Sequence, residues 1–141
     1  MRADYHVHSA FSNDSQYPME EVVKHAIELG LDEICFTDHT DYGKYSDVVC
    51  DLPAYFREIR RCQALYQDKI TIKTGAEFGM QVHTVDQFEA TYAKYPFDFI
   101  ILSCHLVNDL EFWNQDFQRG KTQTEYNLAY YQEIYDVIQR Y

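Results

Sequence analysis

The sequence predicts an α/β fold with a parallel sheet. Three observations predict it. Short β-type runs alternate with longer stretches of helical period, four times over 141 residues. Such alternation implies parallel strands joined by right-handed crossovers. The long connections, 9–18, 39–52 and 106–121, each follow a strand, so they lie at the strands' carboxyl ends, where parallel α/β folds carry function.

Ala3–His8 alternates and reads as the first strand. Met19, Val22, Val23, Ala26 and Ile27 keep the spacing of an amphipathic helix, with Pro18 at its first turn. Glu20 and Glu21 suit the positive end of that helix dipole, and Gly30 closes it. Glu33–Thr37 is a second strand, and Tyr55, Phe56, Ile59, Cys62 and Tyr66 mark a second helix. Ile70–Thr74, rich in β-branched residues, is a third strand. Thr84-Val85-Asp86-Gln87 fits a capping box, followed by a helix with Val85, Phe88, Tyr92 and Tyr95 on one face. Phe97–Cys104 is the most apolar run and the fourth strand. Thr122-Gln123-Thr124-Glu125 is another capping box, and Leu128, Tyr131, Ile134 and Ile138 stripe a last helix that runs to Tyr141.

Composition narrows the function classes. With 12 Lys+Arg against 23 Asp+Glu the net charge is −11, which repels phosphate backbones and argues against a general nucleic-acid binder. No apolar run approaches the ~20 residues of a membrane span, and the first residues lack the apolar core of a signal peptide. The four cysteines, at 35, 50, 62 and 104, form no CxxC pair, so neither a zinc knuckle nor a redox motif is indicated. A disulfide framework is not expected either, and a cytoplasmic location is.

Metal-type side chains stand at the strand ends. His6 and His8 close the first strand, His39 follows the second, Glu77 the third and His105 the fourth. The successive intervals from His8 are 31, 38 and 28 residues, each close to one βαβ repeat. Equivalent strand ends one repeat apart sit side by side, so this spacing gathers four imidazoles and a carboxylate on one rim. In a strand, residues i and i+2 share a face, which lets His6 and His8 bind one divalent ion. Asp14 reads equally as a ligand or as an Asx-turn acid. Asp38, next to His39, is a candidate to orient that ring. Glu77, alone between apolar neighbours and flanked by Gly75 and Gly79, needs a partner if buried, and bridging two metals is a natural use. His25 reads as solvent-facing on its helix, His83 as a residue that could touch the rim, and Cys104 as a buried thiol turned away from His105 by strand alternation. Arg119-Gly120-Lys121 precedes the last helix, and a cation at a helix N-terminus makes Lys121 a candidate phosphate contact beside its plainer reading as a solvated loop lysine.

Asp4-Tyr5-His6-Val7-His8-Ser9, Phe11-Ser12-Asn13-Asp14-Ser15, Phe36-Thr37-Asp38-His39-Thr40, Gly75-Ala76-Glu77-Phe78-Gly79 and Ser103-Cys104-His105 resemble, in order, the motifs of the PHP superfamily (polymerase and histidinol phosphatase), and the histidinol-phosphate phosphatase branch in particular. The resemblance implies parallel (β/α) units forming roughly half of a distorted seven-stranded (β/α) barrel. It implies two or three divalent ions, zinc, iron or manganese. His6, His8 and Glu77 would hold the first, Glu77 and His105 the second, and Asp14 and His39 the third. It also implies hydrolysis of a phosphate monoester, L-histidinol phosphate to L-histidinol and phosphate in histidine biosynthesis. The nucleophile would be metal-bound hydroxide, with no protein nucleophile. Independently of the resemblance, Lys121 and His83 stand as the candidate substrate-side residues.

The sequence departs from that family pattern in one respect. No histidine follows His105, and the final Asp-x-His motif has no counterpart. The expectation is one PHP domain over 1–141, truncated at its C-terminus, with each metal lacking a ligand and with open sheet edges that favour self-association. The alternatives are a PHP-type nuclease or polymerase-associated module, or a metal-binding fragment without catalysis.

Overall fold

The computed structural model describes residues 1–44 and 49–140. Residues 45–48 of the second long connection, and Tyr141 at the expected end of the last helix, lie outside the described residues. The elements run β1 (Ala3–Val7), α1 (Met19–Glu28), β2 (Glu33–Phe36), β3 (His39–Thr40), α2 (Leu52–Tyr66), β4 (Thr71–Gly79), a 3-10 turn (Val82–Thr84), α3 (Val85–Lys94), β5 (Phe99–Ser103), β6 (Leu106–Val107), β7 (Leu110–Glu111) and α4 (Gln123–Arg140). The four expected βα repeats are all present. The sequence reading missed β3 and the small antiparallel hairpin β6–β7, because two-residue strands carry no periodicity to detect.

The chain divides into two compact units. The first comprises Met1–Thr40, Val48–Glu77 and Pro96–Ile101, and the second Asp41–Asp47, Phe78–Tyr95 and Leu102–Tyr141.

In the first unit β1 pairs parallel to β2, and β2 parallel to β4, while β3 and β5 also pair with β4. The strands are short and apolar because α1 and α2 cover them. Ile34, Cys35 and Phe36 of β2 are buried, as are Met19, Val23 and Ala26 of α1 and Tyr55, Phe56, Ile59 and Cys62 of α2. The buried Tyr55 hydroxyl lies 2.9 Å from both the Phe36 and Gly75 carbonyl oxygens, tying α2 to two strands. Gly75 is required by close approach. A Cβ there would sit 2.8 Å from the Phe36 carbonyl oxygen and 2.9 Å from that of Phe99. The sheet of this unit curls. β1 and β5 are three strand positions apart, about 14 Å in a flat sheet, yet the Tyr5 and Phe99 ring centroids are 5.1 Å apart.

Local details correct the sequence reading. Pro18 is the N-cap of α1, one residue before the helix proper. Asp51 caps α2, its carboxylate accepting the Ala54 N–H at 3.0 Å. β4 runs on to Gly79, so Glu77 lies within the strand and does not follow it. β1 is bulged. Asp4 pairs with Ile34 and Val7 with Phe36, so three residues of β1 advance against two of β2.

In the second unit α3 buries Val85 and Phe88 but leaves Tyr92 exposed, narrowing the expected face. Thr84 makes no side-chain cap to α3. Its hydroxyl instead accepts the Gln81 N–H at 3.0 Å in the preceding 3-10 turn. The Thr122–Glu125 capping box forms as expected, with the Thr122 N–H 2.7 Å from Glu125 Oε2 and the Glu125 N–H 3.4 Å from Thr122 Oγ1. α4 turns an unexpected face inward. Tyr126, Tyr130 and Ile134 pack on buried Cys104, Val107 and Phe117, and Val137 is buried. Leu128, Tyr131 and Ile138 of the expected stripe face solvent, because the helix is apolar on more than one side and periodicity does not rank the sides. Among the described residues no helix is long and apolar enough to cross a membrane.

Candidate metal centre

The site grows out of the strand ends of the first unit. At the β1 bulge the Asp4 carboxylate accepts the His6 N–H at 3.0 Å, fixing the backbone just before the two histidines. His6 Nε2 lies 2.9 Å and His8 Nε2 3.0 Å from the same oxygen, Oε2 of Glu77. His39 Nε2 is 3.6 Å from that oxygen. Glu77 itself is buried, whereas His6 is more than half exposed. On its other side the His8 ring presents Nδ1 to Asp14, at 3.1 and 3.0 Å from the two carboxylate oxygens. His39 Nε2 is 3.3 Å from Asp14 Oδ2. Five of the six expected ligands, His6, His8, Asp14, His39 and Glu77, are thus brought together within this unit.

Three imidazoles converging on one carboxylate oxygen is more than hydrogen bonding requires of it. The donor atoms of His6, His8 and Glu77 lie within 4.8 Å of one another, and so do those of His8, Asp14 and His39. Imidazole nitrogen mixed with carboxylate oxygen suits zinc, iron or manganese and is too nitrogen-rich for calcium. The residues therefore fit divalent transition ions.

The electrostatics agree with a cluster of opposed charges. The hydrogen bond to Glu77 raises the His8 pKa against the cost of its burial, with Asp14 adding to the rise. Partial burial works to raise Asp14, but the His8 hydrogen bond and the charges of His8 and His39 bring it below the usual carboxylate value. Asp38 is pushed up by burial, an effect that Ser9 and Ser12 hydrogen bonds reduce.

Asp38 does not act as expected. Its carboxylate receives the Ser9 N–H at 2.7 Å and the Ser9 hydroxyl at 3.0 Å, so it organises the loop and not the His39 ring. Ser9 and Ser12, both buried, are functional candidates that the sequence reading passed over. Their only signal was their position beside His8 and inside the Phe11–Ser15 motif.

The remaining candidates belong to the second unit. His105 follows β5, and its Nδ1 lies 2.8 Å from Oδ1 of the buried Asp41, a partner not anticipated. A Cβ on Gly79 would overlap both of those groups, which explains the glycine. His83 Nε2 is 3.2 Å from Asp109 Oδ1, which also accepts the Gln81 side-chain amide at 3.0 Å. Lys121 donates to the Phe117 carbonyl and sits 4.7 Å over the Phe117 ring. Cys104 is a buried thiol whose pKa burial pushes up to about 12, and its Sγ donates to the Leu106 carbonyl at 3.4 Å. That disqualifies it as a nucleophile at neutral pH. All four cysteines are free and buried, and His25 is exposed beside Glu28, as expected.

The chain is similar to known proteins. The chain is 39% identical to the histidinol-phosphatase of Lactococcus lactis over 99% of its own length and 53% of that protein's. It is 28% identical to a probable histidinol-phosphatase of Schizosaccharomyces pombe, over 96% of this chain and 51% of the relative. The chain spans about half the length of the curated relatives it matches. The crystal structure of the Lactococcus lactis histidinol phosphate phosphatase, complexed with zinc, L-histidinol and phosphate, superposes with a TM-score of 0.92 over 99% of this chain and 54% of that one. A structure from Listeria monocytogenes, at 24% identity and a TM-score of 0.66 over 74% of this chain and 45% of that one, shares the fold. The PHP domain pattern matches residues 4–139. With the match running through nearly every residue and through each strand-end motif in turn, this chain belongs to the PHP domain family.

Proposed function

We propose that the chain serves metal-dependent hydrolysis of a phosphate monoester, L-histidinol phosphate, in histidine biosynthesis. One observation carries this reading: three imidazoles and two carboxylates from β1 and the loop after it, β3 and β4 converge around Glu77 Oε2 and Asp14. The likeness to a histidinol phosphate phosphatase complexed with zinc, L-histidinol and phosphate supports the substrate class.

In this reading two or three divalent ions, zinc, iron or manganese, are held as follows. His6, His8 and Glu77 take one, and Asp14 and His39 take another. His105 is carried over from its Ser103-Cys104-His105 motif as a metal ligand. When bound, such ions lower the pKa of water and neutralise phosphoryl oxygens. The protein's part is positional. His8 is fixed from both sides, by Glu77 on Nε2 and Asp14 on Nδ1, which sets its ring plane. Buried Glu77 presents one carboxylate oxygen where two imidazoles meet it. The substrate-side groups are Lys121 and His83, the latter oriented by Asp109. The acidic chain leaves phosphate recognition to the ions and not to bulk charge. The location is the cytoplasm, and open sheet edges provide for self-association.

The test is phosphate release from histidinol phosphate with added manganese or zinc. The expected result is metal-dependent release that Glu77→Gln abolishes. Cleavage of single-stranded DNA in preference to the phosphate ester would replace this reading with the nuclease one.

A further inference from the structure

We infer that buried Asp38 is a positioning group for the metal centre: its carboxylate clasps the loop after β1 to the segment that carries His39, and its main-chain carbonyl ties the Glu77 strand to the same point. The inference rests on the metal reading proposed above.

Asp38 is 2% exposed, and Ser9 and Ser12 are buried beside it. Its side chain takes the Ser9 N–H at 2.7 Å, and the Ser9 hydroxyl is 3.0 Å from each oxygen. The Ser12 side chain beside it works, with Ser9, against the burial that pushes Asp38 up. Ser12 Oγ in turn accepts the His39 N–H at 2.8 Å. The main-chain carbonyl of Asp38 accepts the Glu77 N–H at 3.2 Å. One rung earlier, the Thr37 N–H reaches the Val7 carbonyl at 2.8 Å, and the Val7 N–H reaches Thr37 Oγ1 at 3.1 Å.

Four of the five metal-type side chains of the cluster are therefore on, or within two residues of, a group held by Asp38 or by Ser12 beside it. His8 precedes Ser9, Asp14 follows Ser12 by two residues, His39 is the next residue, and Glu77 is bound through its own amide. A carboxylate suits this position because it accepts at both oxygens, with about four lone-pair sites, where an amide accepts at one atom. Nothing covalent joins these segments, and ligand sets need placement to within about 0.5 Å. The clasp supplies that placement from behind the imidazoles.

The experiment measures zinc uptake by equilibrium dialysis, with affinity and stoichiometry, for the unaltered chain, Asp38→Ala, Asp38→Asn and Ser12→Ala. Circular dichroism melting and the visible spectrum of each cobalt-loaded protein run alongside. Asp38→Ala should still melt cooperatively, bind zinc ~10–100-fold more weakly, as losses behind metal ligands do, and shift the cobalt bands even at saturation. Asp38→Asn, which keeps one acceptor for the Ser9 N–H, should recover part of the affinity. Should Asp38→Ala fail to fold, Ser12→Ala decides, with an expected loss of about tenfold in affinity and an unchanged melt. Variants that fold, bind zinc like the unaltered chain and keep its cobalt spectrum overturn the clasp alone. An unaltered chain that takes up no zinc overturns the metal reading and the clasp with it.

Discussion

α1 and α4 carry similar apolar periodicity and meet different fates. In α1 the periodic residues are the buried ones: Met19 is 1% exposed and Val23 0%. In α4 three of the four residues of the expected stripe lie open, with Leu128 67%, Tyr131 65% and Ile138 56% exposed, and Ile134 alone packs inward. The difference lies in what each helix packs on. α1 covers the curled parallel sheet of its unit. α4 meets a small cluster built by Cys104, Val107 and Phe117, wide enough for Tyr126, Tyr130 and Ile134 but for no second row. An apolar period announces a face that wants cover. Whether cover is supplied depends on residues far along the chain.

The largest expected effect tests that contrast directly. Met19→Ala should cost about 2–5 kcal/mol, the range for emptying a filled apolar site. Leu128→Ala should stay within about 0.5 kcal/mol, as surface changes do. Equal losses in denaturant unfolding would break the comparison. The same stripe should drive association at micromolar concentration. Sedimentation should show the unaltered chain heavier than a Leu128→Lys, Tyr131→Lys double variant, and a strictly monomeric unaltered chain would remove α4 as a sticky face.

A smaller effect separates the units by ligand. Zinc at 100 times its Kd should stabilise the chain by about 2.7 kcal/mol, and Glu77→Gln should erase that gain while leaving a Leu128→Ala background unaffected. Raised melting temperature persisting in Glu77→Gln would place zinc elsewhere.

Acidity sharpens the same comparison. His8 is raised by its partners, so its contribution to metal-free stability is complete below the unfolded value and is lost as pH rises through the folded one. Asp14 is lowered, so its contribution is present above the unfolded value and is lost as pH falls through the folded one. The pair therefore helps the metal-free chain most between those two titrations. Zinc must displace the His8 proton, so the melting gap between zinc-loaded and metal-free protein should widen as pH rises through the His8 titration. A gap that ignores pH would exclude His8 as a ligand.

The smallest effect belongs to the exposed charges that link α1 to α2. Arg61 lies 2.6 Å from Glu20 and 2.7 Å from Glu58. Such surface pairs contribute little, so Arg61→Ala should move the melting temperature least of all these variants, and less again in high salt.

Much of the centre was legible because ligand chemistry and strand-end spacing are both written in one dimension. His6, His8, His39 and Glu77 stand about one βαβ repeat apart, and Asp14 lies in a motif between the first two strands. What spacing does not encode is the bond partner of a buried acid. Asp38 was expected to face an imidazole, but it faces Ser9, since the loop after β1 needs an acceptor for an amide that no strand satisfies. Asp41 escaped notice for a related reason: nothing before folding distinguishes it from a solvated loop acid.

By itself the sequence determined the βα order, the helix caps at Thr122 and Gly30, and the identities of the residues around Glu77, because capping, periodicity and side-chain chemistry are local. Only the tertiary structure decided which side of α4 is covered, that β1 carries a bulge before its histidines, and that β4 extends through Glu77. Those outcomes depend on packing and on hydrogen-bond partners supplied from distant positions, and each is a competition that no local segment can resolve alone.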